Sequence, residues 1–216
     1  MNFFSSYDNI QVHYNERVRS YDKPFSKSNK LKVLVIGNSF GRDFVNVLFE
    51  SDFINDIEVR YFENNRVFID DSIKQRINNA MYVFFTNGVT KEYIREIEQK
   101  YNIHFNGQKL KIVGIKDFGY SNGINYNNIN HESFNPITYR TNMKKGFFER
   151  NKELKSIWGE QYIDLIELIS DSTEKVLIFT PDSKFISYDT YHFTKFGAIY
   201  YAHILEDKLL NVMNIN

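Results

Sequence analysis

Short apolar runs and helix-period segments alternate four or five times along this chain, and that alternation constrains the fold more than any other feature. The clearest run, Leu31-Lys-Val-Leu-Val-Ile36, is rich in β-branched residues and stops at Gly37, as a strand buried on both faces of a parallel sheet does. Behind it, Phe44, Val45, Val47 and Leu48 form the apolar stripe of a helix. Ile57–Phe62, Met81–Thr86 and Leu110–Ile115 predict three further strands. Helices are predicted over Ser72–Ala80, where Asp70 and Asp71 suit the positive N-terminal end, and over Lys91–Tyr101. In the latter, Thr90 is placed to cap, and Tyr93, Ile94 and Ile97 fall at helical spacing. Helical pattern resumes over Lys144–Leu154. Tyr162–Ile169 and Lys175–Thr180 compete for the fifth strand, and periodicity alone leaves that choice open. A last helix from about Thr194 to Met213 would bury Ile199, Ala202, Leu205 and Leu209. Strands alternating with helices imply an α/β fold of three layers, α/β/α, with a central parallel sheet of about five strands.

A chain of 216 residues can bury enough apolar surface to fold as one domain without covalent staples. No internal repeat or linker divides it, so residues 31–216 are expected to form a single domain, with residues 1–30 an arm packed on it. Tyr120–Pro136 is Asn-rich and without period, and reads as a long loop. The N-terminus carries charges throughout, and the apolar runs are of strand length, far short of a bilayer crossing. These features point to a cytoplasmic protein or to the soluble portion of a longer one.

Composition removes several classes of function. With no cysteine there is no disulfide, thiolate metal site or cysteine nucleophile. Lys plus Arg and Asp plus Glu both number 27, so the chain lacks the basic excess that draws a protein to nucleic acid. His13, His104 and His131 show no metal-ligand spacing, and Gly37-x-x-x-Gly41 is neither a dinucleotide fingerprint nor a phosphate loop. No cofactor is expected.

The chemistry concentrates in two segments, one after the first predicted strand and one before the last predicted helix. Ser39 follows the first strand and precedes a helix, where its hydroxyl is exposed beside the backbone N–H groups of the helix start. Such donors suit an oxyanion developing during acyl attack; the same position suits a helix-capping serine equally well. Asp189-Thr190-Tyr191-His192 precedes the last helix. A carboxylate there can hold one ring nitrogen of His192 and leave the other to take a proton from Ser39.

Together these segments resemble the SGNH (GDSL-type) hydrolase superfamily. Gly37-Asn38-Ser39 is similar to its first block, and Asp189-Thr190-Tyr191-His192 to its last. The continuation Phe193-Thr194-Lys195-Phe196-Gly197-Ala198 carries the likeness further, and in all it spans about residues 31–210. The resemblance implies Ser39 as nucleophile, His192 as base, Asp189 as its orienting acid, and an oxyanion hole from the Ser39 N–H and the Asn87 side chain. Asn87-Gly88 also reads as an ordinary turn. The family's second block supplies a glycine N–H, yet no glycine occurs between Gly41 and Gly88. Gly37-Asn38-Ser39-Phe40-Gly41 matches the Gly-x-Ser-x-Gly of α/β-hydrolases as well. That fold is rejected because only about thirty residues precede the first strand and the acid adjoins the histidine. Three functions follow: a serine esterase acting on an O-acyl, above all O-acetyl, ester of a carbohydrate; an O-acyltransferase modifying a surface polysaccharide; or a catalytically silent domain binding carbohydrate or a partner protein.

Overall fold

A computed structural model describes residues 13–63, 70–106, 109–119, 135–187 and 189–215. The first run becomes strand β1 (Leu31–Gly37), joined by β2 (Ile57–Glu63), β3 (Tyr82–Phe85) and β4 (Leu110–Val113). The fifth strand of the sheet, β6, is only Tyr162–Ile163. All pairs are parallel, in the order β2-β1-β3-β4-β6. Of the two competing stretches, the start of Tyr162–Ile169 therefore enters the sheet. Lys175–Leu177 (β7) pairs antiparallel with β5 (Arg140–Asn142) in a separate two-stranded ribbon, because each supplies a partner for the other outside the sheet.

Helices α1 (Ser39–Phe49), α5 (Lys195–Ile204) and α6 (Glu206–Met213) pack on one face of the sheet, and α2 (Asp71–Asn79), α3 (Lys91–Tyr101) and α4 (Phe147–Trp158) on the other. The period of two along β1 decides which residue meets which layer. Val33 and Val35 join Phe44, Val47, Leu48, Tyr201 and Leu209 in one core, while Leu34 and Ile36 join Ile73, Ile77, Ile94, Ile97 and Leu154 in the other. All four strand residues are at most 1% exposed. The helix expected over 194–213 is interrupted at Leu205, which closes α5 and serves as the residue before α6. Ahead of the sheet, Tyr14 and Val18 pack into the first core, and the Tyr14 hydroxyl donates to Glu50 at the end of α1. The Tyr120–Pro136 loop lies outside the described residues except for its last two positions, as does His131.

This strand order places β1 between β2 and β3, where the winding direction reverses. Open α/β sheets bind ligands at the carboxyl ends of the strands beside such a reversal. Ser39 stands at that end of β1.

Candidate active site

The turn from β1 into α1 is built by close approach. Neither Gly37 nor Gly41 has a left-handed backbone. A Cβ on Gly37 would lie 2.0 Å from Thr86 Oγ1, and one on Gly41 would lie 3.0 Å from the Tyr61 ring. The missing side chains let β3 and β2 press against the turn. The fully buried Tyr61 hydroxyl then reaches the Gly37 and Asn38 carbonyls at 3.0 and 2.9 Å. Asn38, not Ser39, is the helix cap: its side chain accepts the Phe40 N–H at 3.0 Å. Ser39 is the first helical residue, so its hydroxyl is released from capping. Its N–H belongs to the first turn, where a helix offers no acceptor of its own.

The second segment folds around Asp189. Its Oδ1 accepts the backbone N–H groups of Tyr191 at 3.0 Å and His192 at 2.7 Å, which closes a tight loop with Thr190 in left-handed conformation. Oδ2 is thereby left facing His192 Nδ1, to which it is hydrogen-bonded. His192 Nε2 lies 2.8 Å from Ser39 Oγ. Burial alone would raise the Asp189 carboxyl. The hydrogen bonds from the His192 ring and from the His192 and Tyr191 N–H groups outweigh it and hold the group well below the usual carboxylate range. Asp189 is therefore an acceptor throughout the neutral range, and its contact with Nδ1 assigns the proton there, leaving Nε2 as the acceptor for Ser39.

Behind the loop, the Thr194 side chain caps α5 by accepting the Gly197 N–H at 2.9 Å, and its hydroxyl donates to the Phe185 carbonyl. A Cβ on Gly197 would come within 2.1 Å of the Ile186 carbonyl oxygen, so a glycine is what allows α5 to dock against the segment leading into Asp189.

Asn87 does not join the Ser39–His192–Asp189 hydrogen-bonded chain. It sits past the end of β3 with φ 68°, a left-handed conformation that asparagine tolerates. With Gly37, Asn38, Thr86 and Tyr93 it lines a cavity of about 150 Å³ in the crevice between β1 and β3. The stretch after β2, where the family resemblance places a further donor, is residues 64–69, outside the described residues. Among the described residues, no group of three or more His, Asp or Glu side chains is gathered as a metal site.

Two residues beneath the site had not been singled out from sequence. Asp43, one turn after Ser39, and Lys116, just beyond β4, form an ion pair of 2.7 Å with both side chains about 1% exposed. An acidic residue inside the apolar stripe of α1 and a lysine directly after the apolar run to Ile115 were the available signals. Their pairing across 73 residues was not visible in any local pattern.

No family model and no curated protein matches the sequence. Among solved structures, the periplasmic domain of a lipopolysaccharide acetyltransferase from Salmonella ser. Paratyphi A superposes with a TM-score of 0.65, covering 97% of this chain and 98% of that one, at 16% identity. The likeness is one of fold. It extends over essentially the whole of both chains.

Proposed function

We propose that this protein is an SGNH-type serine enzyme that transfers an acyl group from an O-acyl, above all O-acetyl, ester of a carbohydrate. The observation that carries the reading is the unbroken chain Ser39 Oγ–His192 Nε2, 2.8 Å, and His192 Nδ1–Asp189, at the carboxyl end of β1. His192 takes the Ser39 proton as Oγ attacks the ester carbonyl. The Ser39 N–H and the Asn87 side chain bind the oxyanion, and His192 protonates the departing sugar oxygen. Water then resolves the acyl-enzyme in an esterase. A second reading replaces water with a carbohydrate hydroxyl, and the fold shared with a lipopolysaccharide acetyltransferase domain favours it.

The test is intact mass after treatment with a fluorophosphonate, together with hydrolysis of an aryl acetate, for the wild type and Ser39→Ala. One adduct and turnover are expected in the wild type. The adduct should be absent from Ser39→Ala, with turnover lower by about 10⁴-fold or more. A folded wild type that neither labels nor turns over would overturn the reading in favour of a binding domain. Analysing the products in the presence of an oligosaccharide acceptor separates the two enzymes: free acetate marks an esterase, acetylated sugar a transferase.

A further inference from the structure

Lys116 is the most buried cation among the described residues, and the acyl-transfer steps make no use of it. Its ammonium nevertheless touches both halves of the site. It donates to the carbonyl of Tyr191, the residue before His192, and to Asp43 on the first turns of the helix that begins with Ser39. It also lies 4.2 Å from the ring centre of Phe40, the residue after Ser39, and 4.7 Å from that of Phe193, the residue after His192. The Phe40 ring in turn packs on His192 with centroids 5.6 Å apart. Two residues further along the same segment, the Phe118 N–H donates to the Thr190 carbonyl at 2.9 Å, which adds a backbone tie to the catalytic loop.

From this geometry we infer that Lys116, held by Asp43, is a positioning residue that fixes the His192 loop against the Ser39 helix. This rests on the acyl-transfer reading of the site. Desolvation pushes the Asp43 carboxyl up and the Lys116 ammonium down, and their mutual attraction opposes both shifts. A buried pair of this kind contributes little net stability compared with apolar residues of the same shape. Its value here is geometric. One ammonium, with no freedom to move, sets the separation between the segment that carries the nucleophile and the segment that carries the base. Displacing a reacting group by about 1 Å can cost about 10²-fold in rate.

The pair can be removed without stranding a charge, as Asp43→Asn/Lys116→Met. The double variant should fold, with KM for an aryl acetate little changed and kcat lower by about 10²-fold. A second readout needs no turnover. The proton on His192 Nδ1, shielded by Asp189, should give a slowly exchanging downfield NMR signal in the wild type, and that signal should broaden away in the double variant. The ring-proton readout tests the clamp even in a protein that fails to label at Ser39, so the two readings fail separately. Should the double variant not fold, the apolar pair Asp43→Leu/Lys116→Met, which also strands no charge, should weaken the ring-proton signal in the same direction. A folded variant that keeps both the wild-type kcat and the ring-proton signal, whatever its melting temperature, would reduce the pair to a structural role and overturn the inference.

Discussion

At Gly37 the requirement for glycine comes from space and not from backbone conformation. The Thr86 hydroxyl, buried and without a hydrogen-bond partner among the described residues, occupies the place a Cβ would take. Gly37→Ala should therefore strain the β1–β3 contact, at a cost of about 1–3 kcal/mol, and slow fluorophosphonate labelling by shifting the turn. Adding Thr86→Ala removes the oxygen that clashes and should recover most of both losses. Urea titration and labelling kinetics of the single and double variants check this, and an additive pair would refute it. Gly37 and Gly41 together admit Thr86 and Tyr61 to the turn. That could not be read locally, because the partners lie on other strands.

At the scale of elements, helix starts were legible: Thr90 was placed as a cap and Asp70 as a charge at a helix N-terminus, whereas Asn38, the cap of α1, was not read. Asp70, Thr90 and Thr194 each accept the N–H three residues on, as Asp, Thr and Ser at helix starts do. The four longer strands were equally legible from their β-branched and aromatic content, unbroken in β3 and interrupted by Lys32 in β1, by Glu58 and Arg60 in β2 and by Lys111 in β4. The fifth strand was not, for β6 is only Tyr162–Ile163, and both candidate stretches are apolar for different reasons: one enters the sheet and the other pairs with β5. Helix α5 supplies a test at this scale. Gly197→Ala should push the helix off the Ile186 carbonyl, destabilise the fold by about 1–3 kcal/mol and slow labelling at Ser39, because the displaced segment leads into Asp189. A variant with a lower urea midpoint but unchanged labelling kinetics would show that the docking of α5 does not set the loop.

For the whole molecule, the Asp189 end of the site responds to acid in a definable direction. The folded state holds Asp189 below the ordinary carboxylate value, about 3.9 in an unfolded chain. The unfolded state therefore binds more protons as pH falls through that value. Stability from the Asp189 contacts is present above it and is lost towards the lower folded value. With the side chain 52% exposed, screening limits this contribution to about 0.5 kcal/mol. The difference in urea midpoint between the wild type and Asp189→Asn should thus stay constant above about pH 5 and shrink as pH falls below about 4; a gap that stays constant there as well would show that the carboxylate contributes nothing specific.

The contact between His192 and Ser39 joins positions 153 residues apart, and the helix that follows His192, α5, lies against α1. A growing chain on the ribosome thus carries its nucleophile early but remains inert until the segment through His192 and α5 has emerged. Reactivity at Ser39 is in that sense a record of completed folding: a truncation after His192 keeps the base but removes the helix that docks its loop against α1.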